Sequence, residues 1–259
     1  MIPIRDDNPT FLKPVTTLAL IAANVAAWAL VQGLGTPDAL VSSVCELGLL
    51  PGEVTGAVPP GTLVQLSDQK ACLTQTGVWY TPLTSMFLHG GWLHLAGNLW
   101  FLWIFGNNVE DAVGHGRFLL FYLVCGLVAA ALQVASQPTS VIPMVGASGA
   151  IGGVMGAYVV LYPRVRVHML FILGFYVTTI AVPALWMLGY WLLIQLVGGA
   201  ASIGKTGGGT AFWAHVGGFV AGAVLIVLFR NRRLLDRHPF HGWRARPPGP
   251  AYERHRGVW

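Results

Sequence analysis

Six apolar stretches run along this chain, and no carboxylate falls inside any of them. They cover about residues 15–34, 92–105, 117–135, 148–162, 181–197 and 211–229. In lipid every backbone polar group must find its partner within the protein, so helices and closed barrels are the only spanning forms. Stretches of this length read as helices. Of the 259 residues 54% are hydrophobic and 10% charged; a soluble domain carries about 25% charged residues. The expectation is an all-α polytopic membrane protein, a six-helix bundle over 15–230 with short polar ends.

The stretch 167–180 is ambiguous. It is apolar but rich in β-branched and aromatic residues, with Gly174 inside, so it either extends the fifth span or lies at the interface without crossing. Pro183 is placed to start or kink the fifth helix.

Basic residues set the orientation. Arg5 and Lys13 precede the first span, Arg117 lies between the second and third, Arg164 and Arg166 follow the fourth, and Arg230, Arg232 and Arg233 follow the sixth. With six spans these all share one side, while the opposite loops hold only Lys70 and Lys205. Both termini are therefore expected in the cytoplasm, with 35–91 as an extracytoplasmic first loop. Residues 1–14 form a cytoplasmic segment. Residues 231–259 form a basic, flexible tail in which Arg237, Arg244, Arg246, Arg254 and Arg256 recur and Pro247, Pro248 and Pro250 suggest a disordered end. Basic residues that flank spans report topology, so no nucleic-acid partner is expected; the lipid bilayer is. The short ends and the lack of a transit peptide suggest a bacterial inner membrane. Cys125, inside a span, reads as a packing residue. Cys45 and Cys72 share the first loop, where an oxidising side leaves a disulfide open.

Two polar residues stand where the spans are otherwise apolar. Ser148 begins the fourth span in Gly146-Ala147-Ser148-Gly149-Ala150, and His215 lies early in the sixth in Ala214-His215-Val216-Gly217-Gly218. Polar groups in lipid are costly, so such a pair points to a site. A hydroxyl and an imidazole are also the minimum for a serine nucleophile with its general base. Each has a plainer reading. Gly149, Gly152, Gly153 and Gly156 surround Ser148 with small residues that suit helix packing, and His215 could simply bond a backbone carbonyl. Gly218 and Gly222, on the His215 face, would let another helix come close.

From Ser148 to Tyr162 the fourth helix rises only about 21 Å, less than the ~30 Å of hydrocarbon. Ser148 then sits below the outer surface, and the loop 138–147 must dip inward against protein or a water-filled cavity. His94 and Asn98, i and i+4 on the second span, can both donate hydrogen bonds, either to a developing oxyanion or merely between helices. Metal binding by His89, His94 and His215 is disfavoured, because no His-Glu-x-x-His pattern exists and the i, i+5 spacing of His89 and His94 splits their faces. No cofactor is expected. Without a carboxylate in any span, the chemistry is that of a Ser–His dyad.

The combination Gly146-Ala-Ser148-Gly149, His94-x-x-x-Asn98 and Ala214-His215-x-x-Gly218-x-x-x-Gly222 resembles the rhomboid intramembrane serine proteases. Thr84-Ser-Met-Phe-Leu-His89-Gly-Gly-Trp-Leu-His94 and Phe105-Gly-Asn-Asn-Val-Glu110-Asp111 extend the likeness over roughly residues 75–230. The resemblance implies Ser148 as nucleophile and His215 as general base, with His94, Asn98 and the Ser148 N–H as oxyanion hole. It implies that His89 anchors a loop, that Glu110 belongs to a cytoplasmic hydrogen-bonding motif, and that the region of Trp79 and Tyr80 is a membrane-embedded loop. Single-pass membrane proteins are the implied substrates, admitted by movement of the fifth helix or of the glycine-rich loop 198–210. One departure stands out: where some relatives stack an aromatic residue on the catalytic histidine, this chain has Gly152, leaving Trp213, Tyr158 or packing alone to hold His215. Two alternatives remain. One is an inactive relative that binds transmembrane helices. The other is a small proton-relaying transporter, which would call for an internal repeat and more ionisable residues in the spans.

Overall fold

A computed structural model describes residues 2–67, 70–202, 210–236 and 238–241. In chain order the elements are β1 (Ile2–Asp6), α1 (Val15–Ala26, continued by a π-turn over Ala27–Val31), α2 (Pro37–Leu47), α3 (Pro51–Val54), β2 (Leu63–Ser67), β3 (Lys70–Leu73) and α4 (Thr81–Thr84). There follow α5 (Trp92–Val113), α6 (His115–Ser136), α7 (Ser148–Leu161), β4 (Arg166–Leu173), β5 (Tyr176–Pro183), α8 (Ala184–Ser202), α9 (Phe212–Phe229) and α10 (Arg232–Leu235). Among the described residues, α6, α8 and α9 are long and apolar enough to cross a membrane. The apolar helices Val15–Val31 and α7 are shorter. As long as α6, α5 carries His94 and Asn98 near one end and Asn107, Asn108, Glu110 and Asp111 near the other.

At the centre lies α7. It is apolar all round, and nearly every residue from Gly149 to Tyr158 is buried, as expected of a helix with no polar face. It packs on α9, α6, α5 and α8. Its closest neighbour is α9, because the facing positions are glycines. A Cβ built on Gly218 would stand 1.9 Å from the Gly149 carbonyl oxygen, and one on Gly222 would stand 1.9 Å from that of Gly153. Backbone lies directly on backbone, an approach that any side chain would block.

The all-helical expectation is corrected. The stretch 167–180 is neither an extension of α8 nor any other helix. It forms the hairpin β4–β5, and β1 pairs antiparallel with β4 to complete a three-stranded sheet in the order β1-β4-β5. β-branched and aromatic residues favour an extended backbone, and Gly174 supplies the positive φ of +60° at the turn. Two further contacts seat β1 on the bundle: Trp100 Nε1 donates to the Pro3 carbonyl, and the Tyr158 hydroxyl donates to Asp6. A second hairpin, β2–β3, lies in the first loop, where Cys45 of α2 is disulfide-bonded to Cys72 of β3. Cys125 is a free, buried thiol.

Glu110, fully buried at the end of α5, ties that end to the start of α1. Its carboxylate accepts from the Thr16 and Thr17 N–H groups, each at 2.8 Å, and from the Thr17 hydroxyl at 2.7 Å. These are the orphan donors of a helix N-terminus, where negative charge is favoured. Asp111 accepts from the Phe11 and Leu12 N–H groups in the same way.

The start of the tail is also packed rather than loose. α10 follows α9 directly, and His238 is buried, donating to the Pro9 carbonyl at 2.9 Å and lying 4.6 Å from the Tyr162 ring. Arg237, Arg244, Arg246, Arg254, Arg256, Pro247, Pro248 and Pro250 of the tail lie outside the described residues, as do Lys205, Gly204, Gly207, Gly208 and Gly209 of the glycine-rich loop.

Candidate active site

Ser148 is the first residue of α7 and His215 lies in the first turn of α9. The glycine seam aligns these two N-terminal ends, and His215 Nε2 comes to 2.8 Å from Ser148 Oγ. Two residues 67 positions apart therefore meet at hydrogen-bond distance. Ser148 occupies a helix N-terminus, where the first N–H groups have no intrahelical acceptor and the dipole favours negative charge.

His94 and Asn98 converge on the same place from the first turns of α5. The Gly146 backbone, with φ of +126°, bends directly beneath them: a Cβ there would stand 2.7 Å from His94 Nε2 and 3.5 Å from Asn98 Nδ2. Only glycine combines that φ with that clearance. The Gly90 N–H donates to His94 Nδ1 at 3.2 Å. A neutral imidazole that accepts at Nδ1 carries its proton on Nε2, so His94 presents a donor to the site. Asn98 Nδ2 is buried and has no acceptor among the described residues. Buried donors are nearly always paired, so an amide N–H left over here is available to a ligand oxygen.

The loops around the site are pinned. The Gln32 side chain brackets the His89 backbone, accepting its N–H at 2.7 Å and donating to its carbonyl at 2.9 Å. This fixes the chain just before α5. His89 itself is buried, and neither of its ring nitrogens has a partner among the described residues. Burial, helped by the neighbouring His94, pushes its imidazole down to about 4, so it is neutral. The Gly146 N–H donates to the Ser85 carbonyl at 2.9 Å, and Met144 and Leu49 exchange both backbone bonds at 2.8 and 3.1 Å. The first loop thus clamps the segment that enters α7. A cavity of about 910 Å³ opens above this arrangement, lined by His94, Asn98, Gln133, Ser148, Trp191 and His215 among others.

Behind His215 the structure departs from the sequence reading. Neither of the two aromatics considered lies where expected. Tyr158 is at the far end of α7 against Phe105 and Tyr162, with its hydroxyl on Asp6, and Trp213 packs on Gly199. Instead the Trp191 ring of α8 lies 5.7 Å from the His215 ring at 37°. Gln195, one turn along α8, places Oε1 2.8 Å from His215 Nδ1. Both residues were missed. The signal was present, since Gln195 is the only amide side chain in α8 and shares a face with Trp191 at i, i+4. Gly152 is explained by the crossing: a Cβ there would stand 3.0 Å from the His215 carbonyl oxygen.

A family model described as a rhomboid domain matches residues 76–232. The chain is 35% identical over 170 residues to the rhomboid protease GluP of Bacillus subtilis (strain 168), which covers 66% of this chain and 31% of that protein. It is 41% identical over 75 residues to the chloroplastic rhomboid-like protein 11 of Arabidopsis thaliana, covering 29% and 26% of the two chains. To RHOMBOID-like protein 4 of the same plant it is 28% identical over 176 residues, covering 67% and 38%. The chain thus spans only 26% to 38% of the length of these relatives.

Proposed function

The chain belongs to the rhomboid family, and on that premise we propose that it is an intramembrane serine endopeptidase with Ser148 as nucleophile and His215 as general base. It is an integral membrane protein, and among the described residues three helices are long and apolar enough to cross the bilayer. The finer topology belongs to the proposal. Six spans over 15–230 include α1, α5 and the short α7. Both termini, with 1–14 and 231–259, face the cytoplasm, the loop 35–91 faces outward, and the bilayer is a bacterial inner membrane.

The observation that carries this reading is the 2.8 Å contact between His215 Nε2 and Ser148 Oγ at a helix N-terminus inside a cavity. As Ser148 Oγ attacks the scissile carbonyl carbon, its proton passes to His215 Nε2. The carbonyl π electrons move to oxygen, and that oxyanion is met by His94 Nε2–H, Asn98 Nδ2–H and the Ser148 N–H. Collapse breaks the C–N bond while His215 returns the proton to the leaving amine. Water from the cavity then repeats the sequence on the acyl-enzyme, with His215 taking its proton. The dyad needs no cofactor. Substrates are single-pass transmembrane proteins whose span enters from the bilayer; nucleic acid plays no part.

The test is cleavage of a membrane-anchored reporter in vesicles. The full chain is expected to cut it and Ser148→Ala to leave it intact at equal expression and thermal stability. Cleavage by Ser148→Ala at the wild-type rate refutes the assignment. An inactive relative that merely binds transmembrane helices would cut nothing in either form.

A further inference from the structure

We propose that Gln195 is the positioning residue for His215, a neutral third member behind the Ser148–His215 pair; this rests on the protease reading above. Gln195 Nε2 lies 3.2 Å from the Trp191 carbonyl oxygen. A carbonyl only accepts, so the Gln195 amide must turn its NH2 toward that oxygen and its own oxygen away from it. The amide oxygen then faces His215 Nδ1 at 2.8 Å. An amide oxygen also only accepts, so Nδ1 must carry the imidazole proton. That leaves the Nε2 lone pair pointing at Ser148 Oγ, 2.8 Å away, ready to accept its proton. One backbone carbonyl thus sets the tautomer of the base through a side chain that is 6% exposed.

The residue type fits its depth. A carboxylate would orient the ring equally well, but an ionised group among apolar spans is costly. A glutamine supplies the acceptor without a charge. The ring plane has its own support from Trp191, which in turn stacks on Phe219 of α9 at 6.1 Å and 28°. Both supports, at i and i+4, belong to α8. His215 is therefore set in its working tautomer and orientation only while α8 stands against α9, so parting α8 from α9 would release the base.

The experiment is steady-state cleavage of the reporter across pH by the full chain, Gln195→Leu and Gln195→Glu, with ¹⁵N-histidine NMR of each on a Ser148→Ala background. Gln195→Leu keeps the bulk and removes the acceptor; kcat is expected to fall on the order of 100-fold with KM little changed. Gln195→Glu restores an acceptor and should recover cleavage. Its charge should favour the imidazolium and move the acid limb of kcat/KM to higher pH. In the spectra the His215 proton should sit on Nδ1 with Gln195 and redistribute with leucine. Wild-type kcat and an unshifted pH profile in Gln195→Leu, or a His215 proton on Nε2 in the parent, overturn the proposal. If Gln195→Leu does not fold, the parent spectrum and the Gln195→Glu profile still decide it. A parent chain that cuts nothing overturns the protease reading and the positioning role with it, and the parent spectrum tells that failure from a failure of the Gln195 contact.

Discussion

Gly218 of α9 lies so close to Gly149 of α7 that a methyl group on it would stand 1.9 Å from the Gly149 carbonyl oxygen. This contact, repeated one turn on by Gly222 and Gly153, fixes the separation of the helices that carry Ser148 and His215. Gly218→Ala must push α9 outward. The expected cost is about 1–3 kcal/mol of stability, with a loss of cleavage on the order of 100-fold from misplacement of the base. Thermal unfolding and reporter cleavage measure the two effects. An alanine variant with wild-type activity would mean that the seam does not set the site.

His94 and Asn98 present donors to the space beside Ser148. Removing either as His94→Ala or Asn98→Ala is expected to lower kcat about 100-fold, near 3 kcal/mol, while the protein melts at the wild-type temperature. Wild-type kcat in both variants would move the oxyanion site elsewhere.

Glu110 acts at the other end of α5. Glu110→Ala strips the acceptor from Thr16 and Thr17 and should cost about 2–4 kcal/mol in thermal unfolding. The fraction that remains folded should cleave normally, since the site lies at the opposite end of the helix. A stable but inactive Glu110→Ala would contradict this separation of roles.

Asp6, on β1, gives a pH dependence of stability with a definite sign. Burial raises its carboxyl from the ordinary value of 3.8 to about 7. The folded chain therefore holds this proton up to about pH 7, whereas the unfolded chain releases it near pH 4. The stabilisation is complete below pH 4 and is lost as pH rises toward 7. Asp6→Asn keeps an acceptor for the Tyr158 hydroxyl and never ionises. Its melting temperature should match the wild type near pH 4 and exceed it by a few degrees at pH 8. A difference that is constant across that range would contradict the assignment.

Particular residues show how far the sequence alone reaches. Ser148, His215, His94 and Asn98 were legible because each is a polar group within or at the start of an apolar run, where lipid makes such groups expensive. The glycine seam was legible for the same kind of reason, since small residues at four-residue spacing serve close approach. Gln195 was equally visible but was not paired with His215, because a span shows its faces and not which neighbour they meet. The sheet was out of reach. β1 finds its partner β4 more than 150 residues away, and strand formation depends on such partners more than on local preference. The hairpin β2–β3 was hidden too, and the Cys45–Cys72 bond was left open, because spacing does not determine pairing.

The central claim is that Ser148 is an activated nucleophile and that His215 activates it. Labelling the full chain in membranes with a fluorophosphonate measures both at once. The account predicts one adduct, on Ser148, with labelling lost in Ser148→Ala and reduced at least 100-fold in rate in His215→Ala. Absence of a Ser148 adduct, or labelling of His215→Ala at the wild-type rate, would contradict it.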